Sequence, residues 1–302
     1  MATRFEMVLH GADSVALRAA GEEAIAEIER LEAQLSLYRP SSEIAEVNAR
    51  AARGPVQVSP PVFALLDHAR KLNSETDGAF DITIAPLVRC WGFMNDTGKW
   101  PSAEEIEEAQ ACVGMKLVLL DHHECTVQFA RDGVMLDLGA IGKGYAIEQA
   151  ADILRDAGVT SALLHGGTST VYALGHPPET SHWKVALEPF PESIGIAPLS
   201  LPPVRIKDEA ISVSAIWGRS FRREGKLFGH VLDPRTGQPV ANSMLAAVIL
   251  PSATETDALS TALLTLGSEG REKISKLRPG IRTLLVSNTE EKPTVEANDF
   301  WR

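Results

Sequence analysis

The chain has 302 residues, 44% hydrophobic and 23% charged, a balance that excludes a disordered or collagen-like polymer and fits one or two globular domains. Its 29 Lys and Arg against 40 Asp and Glu leave a formal charge of −11, which repels polyphosphate and anionic lipid and argues against a nucleic-acid partner. No apolar run reaches the ~20 residues of a membrane span, no basic stretch followed by an apolar one opens the chain, and Cys90, Cys112 and Cys125 are too few for a disulfide framework.

Ala24, Ile25, Ile28, Leu31 and Leu35 recur near the helical period and predict an amphipathic helix over 14–35. A second helix opens at Ser59, with Pro60 or Pro61 in its first turn, and runs through Val62, Leu65, Leu66, Ala69 and Leu72 to a stop at Asp77-Gly78. Ser102 and Glu105 have capping-box spacing and start a third, ending near Cys112. Lys116–Leu120, Cys125–Ala130 and Val134–Leu138 are short apolar or β-branched runs, and Asp132-Gly133 between the last two predicts a tight hairpin. A helix follows over Lys143 to Asp156, stopped by Gly158, then strands at Ser161–His165, Thr170–Leu174 and Trp183–Leu187. His176 to Pro203 holds seven of the 18 prolines and reads mostly as surface loop. Met244–Leu250 and Arg282–Ser287 read as buried strands on either side of a helix from Asp257 to Gly267. Mixed helices and hairpins predict an α+β fold with a largely antiparallel sheet.

Four stretches carry candidate chemistry. Thr76 to Leu87, continued by Trp91-Gly92-Phe93, sets acids and a glycine beside large apolar side chains, either as a helix stop followed by a strand or as an aromatic wall for a flat ligand. Leu136-Asp137-Leu138-Gly139-Ala140-Ile141-Gly142-Lys143-Gly144-Tyr145 leads into a helix, either as a phosphate site on the free N–H groups and positive dipole or as a tight strand-to-helix turn with a solvated lysine, and neither its glycine spacing nor the residue after the lysine is that of a P-loop. His165-Gly166-Gly167-Thr168-Ser169-Thr170 is either a phosphate cradle or a sharp β turn. Gly229 to Gly237 is joined by Thr256 to Thr261, in which Asp257 and Thr261 lie four apart and so share a helix face, an oxygen pair suited to Mg²⁺ or simply a first-turn acid with its neighbour.

In order, these stretches resemble the motif series of the FAD:protein FMN transferase (ApbE) family, beginning with Leu35-Ser36-Leu37-Tyr38-Arg39-Pro40 and Asn48 and ending with Asp257-Ala258-Leu259-Ser260-Thr261-Ala262. The resemblance spans nearly the whole chain and implies one domain over 1–302 with the family's T-fold-like α+β core. It implies that Tyr38, Gly78, Ala79, Phe80, Asp81, Asp137, Lys143 and Leu232 line the flavin nucleotide of FAD, and that the Ala140 carbonyl with the Asp257 and Thr261 side chains holds Mg²⁺. The implied reaction passes FMN from FAD to a Ser or Thr hydroxyl of an acceptor protein and releases AMP. Lys143 and the cation would neutralise the pyrophosphate, Asp257 would serve the chemistry through the cation, and His230 would take or relay the hydroxyl proton, ahead of Asp233. The hydroxyl-rich 168–170 turn and the loop before Trp217 are candidate walls for the acceptor segment. Three places depart from the family pattern: Thr168 where Gly-Gly-Asp is usual, followed by a two-residue insertion before Val171, Val213-Ser214-Ala215 where Thr-Ser-Gly is usual, and Glu148 where Asp is common. Two other readings fit the same residues, an FAD pyrophosphatase and a flavin-binding protein without chemistry. The chain as given reads as cytoplasmic, and as periplasmic if an upstream leader has been removed.

Overall fold

Apolar residues at helical spacing become helices close to the predicted ends, except that the helix expected from Asp257 to Gly267 runs from Ala253 to Ile274, with Gly267 as a non-helical kink inside it. The computed structural model describes residues 3–95, 98–188, 190, 199–218, 220–223, 226–289 and 292–302. β1 (Phe5–Leu9) leads to α1 (Ser14–Leu35), which buries Ala24, Ile28, Leu31 and Leu35 along one stripe. α2 (Glu43–Arg50), not expected from the sequence, is started by the Ser42 hydroxyl, which accepts the Ala45 N–H. β2 (Val56–Gln57) precedes α3 (Pro60–Glu75). Ser59 has N-cap backbone geometry, yet its hydroxyl accepts from Gln34 Nε2 instead of capping the helix. The stop after α3 sets Asp77 and Gly78 at φ 52° and 77°, the left-handed region in which glycine is free of strain. α4 (Ala85–Cys90) occupies the place of the strand considered there, and α5 (Ala103–Gln110) has both bonds of its capping box.

β3 (Val118–Asp121) and β4 (Thr126–Phe129) pair antiparallel across residues 122–125. The hairpin predicted at Asp132-Gly133 does not form. Gly133 does turn the chain at φ 89°, but both edges of β4 are already taken, by β2 and β3. The 134–138 segment satisfies its backbone elsewhere: Leu136 N–H donates to Asn48 Oδ1, Asn48 Nδ2 donates to the Leu136 carbonyl, and Asp137 N–H donates to the Ile82 carbonyl. Val134, Leu136 and Leu138 are buried in alternation, a strand pattern without a ladder.

The remaining order is α6 (Gly142–Asp156), β5 (Ser161–Gly166), β6 (Thr170–Gly175), β7 (Trp183–Val185), β8 (Val204–Ile206), β9 (Glu209–Ala215), β10 (Ser220–Arg223), β11 (Lys226–Gly229), β12 (Ser243–Leu250), α7 (Ala253–Ile274), β13 (Arg282–Thr289) and β14 (Lys292–Asn298). Within the proline-rich 176–203 segment, residues 189 and 191–198 lie outside the described residues.

The chain forms two compact units. The first takes the residues up to Glu32 with Ile141–Ala215 and Asn242–Arg302. It is built on a seven-stranded sheet, order β1-β5-β6-β9-β12-β13-β14, with every pair antiparallel. All eight residues of β12 are buried, and α7 packs on β12 and β9 while also meeting α6. The second unit, Ala33–Ala140 with Ile216–Ala241, holds α2 to α5, the β2-β4-β3 sheet and the β10-β11 ribbon around a core of Leu87, Trp91, Phe93 and Leu232. No helix among the described residues is long and apolar enough to cross a membrane.

Candidate functional site

In the first unit the Gly142-Lys143-Gly144 start of α6 meets the first turns of α7. A Cβ on Gly144 would lie 2.1 Å from the Ala253 carbonyl oxygen and 2.8 Å from Asp257 Cβ, so only glycine allows this approach. Across it Gly144 N–H donates to Asp257 Oδ2 at 3.0 Å, and Lys143 Nζ stands 3.8 Å from Asp257 Oδ1. Asp257 is 4% exposed, and a carboxylate that deeply buried requires this compensation. Glu148, one turn further along α6, accepts from Ser252 Oγ at 2.8 Å and Thr254 N–H at 2.7 Å. The longer acid at that position thus ties α6 to the start of α7.

Thr261 follows Asp257 by one turn, as the spacing predicts, and its hydroxyl lies 3.3 Å from the Asp257 carbonyl oxygen and 3.0 Å from Ser214 Oγ. Ser214 Oγ also meets Ser260 Oγ at 2.9 Å, and Ser260 donates to the Asp257 carbonyl at 3.0 Å. A parallel set joins Ser212 Oγ to Thr256 Oγ1 at 2.8 Å and to Thr170 Oγ1 at 3.1 Å. Ser214, Thr256 and Ser260 fall in stretches the sequence marks but carry no expected role there, and Ser212 is not marked at all; their further local signal is periodic, since two apart on a strand and four apart on a helix each pair shares a face.

Asp257 and Thr261 offer hard oxygens of the kind Mg²⁺ takes, and one carboxylate with one hydroxyl leaves most of an octahedron to substrate phosphates, water or main-chain carbonyls. Among the described residues no group of three or more His, Cys, Asp or Glu side chains could hold a metal unaided. The donor set therefore fits a cation that arrives with a phosphate ligand.

The other expected residues lie in the second unit. Tyr38 is 58% exposed just after α1. Asp81 is buried, with Oδ1 accepting from Thr83 N–H at 2.8 Å and Thr83 Oγ1 at 2.6 Å, and Oδ2 from Asn73 Nδ2 at 3.1 Å. Burial pushes its carboxyl above the usual value, with these hydrogen bonds opposing the shift. Asp137 Oδ1 accepts the Gly139 N–H at 2.8 Å, shaping the turn that ends in half-buried Ala140, directly before Ile141. His230 is half-buried beside Gly218, where a Cβ would lie 3.4 Å from its Cε1.

Several expectations change here. Ala79 and Phe80 are buried, as are Trp91, Phe93 and Leu232, and the last three share one core cluster. These side chains form core and not an aromatic wall, which leaves Phe80 and Leu232 only their main chain for a ligand. The Asp233 carboxylate is occupied by the Arg235 N–H, Nε and Nη2, so its oxygens are spent on fixing a turn. The 166–170 stretch is the turn between β5 and β6, with Gly167 at φ 65° and Thr168 exposed at its tip.

An antiparallel α+β core thus sets a buried acid, a lysine and paired hydroxyls at a glycine-opened helix start, a place chemically suited to an anionic group. The ApbE family profile matches residues 1–285, and the chain belongs to the ApbE family. The FAD:protein FMN transferase of Klebsiella pneumoniae (strain 342) is 32% identical over 266 residues, 87% of this chain and 81% of that protein. The protein of the same name from Escherichia coli K12 is 29% identical over 259 residues, 84% and 72% of the two chains. Among crystal structures, the ApbE protein of Thermotoga maritima has a TM-score of 0.86 at 26% identity, covering 99% of this chain and 100% of its own. The apo flavinyl transferase ApbE of Pseudomonas stutzeri has a TM-score of 0.81 at 29% identity, covering 98% and 95%.

Proposed function

We propose that this chain transfers FMN from FAD to a Ser or Thr hydroxyl of an acceptor protein, with Mg²⁺, and releases AMP. The observation that carries this reading is the Lys143–Asp257–Thr261 cluster at the start of α6, in a family whose curated relatives bear the name FAD:protein FMN transferase. Lys143 neutralises the pyrophosphate, while Asp257 and Thr261 side chains, with the Ala140 carbonyl that the family motif adds, hold Mg²⁺. When bound, that cation stabilises charge on the pyrophosphate oxygens as the phosphoanhydride bond breaks. Tyr38, Gly78, Ala79, Phe80, Asp81, Asp137 and Leu232 contact the flavin nucleotide, Phe80 and Leu232 through their main chain. The acceptor oxygen bonds to the FMN phosphorus, the bond from that phosphorus to the bridging oxygen breaks, and AMP leaves with that oxygen. His230 takes the hydroxyl proton. Positioning and charge neutralisation supply most of the acceleration in such a transfer, so a strong base is not required.

Two rival readings use the same residues: water replaces the acceptor hydroxyl in the same site and FAD is hydrolysed to FMN and AMP, or FAD is bound without chemistry, the reading that Thr168 and Ala215 favour by replacing residues usual in the family motifs. One experiment separates the three. The chain is incubated with FAD, Mg²⁺ and co-expressed candidate acceptors, with AMP read by chromatography and protein by mass spectrometry. Transfer gives FMN on one Ser or Thr and AMP in proportion, and Asp257→Asn gives neither while remaining folded by circular dichroism. AMP with free FMN and no labelled protein establishes hydrolysis. Bound FAD without AMP establishes a binding protein.

A further inference from the structure

Thr261 can serve a cation only through an oxygen lone pair, so its own proton must be directed away from the ligand. Two acceptors are in reach, the Asp257 carbonyl at 3.3 Å and Ser214 Oγ at 3.0 Å. The carbonyl already accepts the Ser260 hydroxyl at 3.0 Å, the shorter of its two hydroxyl contacts. Ser214 in turn has Ser260 Oγ at 2.9 Å to receive its own proton. Only one direction of donation satisfies every contact at its shorter distance: Thr261 to Ser214, Ser214 to Ser260, and Ser260 to the Asp257 carbonyl.

We propose that Ser214, on β9, is a positioning residue that accepts the Thr261 proton and so turns the lone pairs of Thr261 Oγ1 toward the cation. The proposal rests on the reading of Asp257 and Thr261 as metal ligands. The chain of hydroxyls ends on the main-chain carbonyl of Asp257, while the Asp257 carboxylate is held by the Gly144 N–H and faces Lys143. Partners that orient a metal ligand in this way commonly govern affinity about 10–100-fold.

The test is direct binding of Mn²⁺, as a paramagnetic stand-in for Mg²⁺, to the full chain in the presence of ADP as a diphosphate probe, followed by electron paramagnetic resonance. Ser214→Ala is expected to weaken Mn²⁺ binding about tenfold or more. Ser214→Cys, which keeps the volume but offers sulfur as a poor acceptor, should behave like Ser214→Ala, and Ser214→Thr, which restores the hydroxyl, should bind like the parent. Thermal melting shows whether each variant is folded, and if Ser214→Ala does not fold, the comparison of Ser214→Cys with Ser214→Thr decides. Wild-type Mn²⁺ affinity in Ser214→Cys, with binding lost in Thr261→Val, overturns the positioning role and leaves the ligands standing. Binding lost in Ser214→Cys but kept in Thr261→Val also overturns it, because Ser214 would then act by another route. Unchanged binding in both Asp257→Asn and Thr261→Val overturns the metal reading itself.

Discussion

Tyr38 and Phe80 stand at opposite extremes of exposure, 58% and 1%, although both fall in motifs associated with the flavin. An exposed ring is cheap to remove from the fold and available to a ligand, whereas a buried ring is neither. Tyr38→Ala is therefore expected to leave urea unfolding nearly unchanged while weakening FAD binding by about 0.5–1.5 kcal/mol in a flavin fluorescence titration. Phe80→Ala is expected to cost about 3–5 kcal/mol of stability, seen as an earlier urea midpoint. Equal stability losses in the two variants would refute this division. At Asp81 burial raises the carboxyl above its ordinary 3.8, so the native state holds the proton more tightly than the unfolded chain. A group raised in this direction makes the fold less stable as pH rises from 3.8 through its native value. The stability of the parent relative to Asp81→Asn should therefore be greater at acid pH than at neutrality, measured by urea unfolding at both.

Gly144 shows how a single missing side chain governs two helices. Gly144→Ala would place a methyl group 2.1 Å from a carbonyl oxygen, and α6 and α7 must part to admit it. Overpacking of this kind typically costs about 1–3 kcal/mol. The expected result is a lower melting temperature together with loss of AMP release, because the Gly144 N–H bond to Asp257 depends on the same approach. Much of this was legible beforehand: the Gly-Lys-Gly helix start and the Asp257–Thr261 spacing are local signals, read within one turn. The Glu148 bond to the start of α7 was not, since its partners lie more than a hundred positions along the chain. The contact of Ser214 with Thr261 was hidden for the same reason, 47 positions separating them, and the packing of α7 on β9 brings them together. The false hairpin at Asp132-Gly133 shows the converse. Turn chemistry and alternation were both present, but a ladder also needs a free strand edge, and β4 had none.

At the scale of the whole molecule, the α+β character followed from local patterns, while the order of the sheet did not. β6 pairs with β5 across a short turn, but its other neighbour, β9, arrives only after the proline-rich segment. Nothing in the periodicity of β9 states which strand it will meet. The division into two units was equally illegible, because each is assembled from separated stretches of sequence.

That interleaving shapes how the chain leaves the ribosome. The first unit has received two of its three segments once Ala215 emerges, but Asn242–Arg302 is synthesised last. In the interval β9 can pair with β6 but presents a bare edge to solvent, because β12 does not yet exist, and the surface that α7 will cover is open. An exposed edge of this kind is a template for another nascent chain. The final segment thus acts as the keystone of the first unit, and a chain stopped between 215 and 242 is expected to aggregate, seen as pelleting on centrifugation, rather than to form a smaller folded protein.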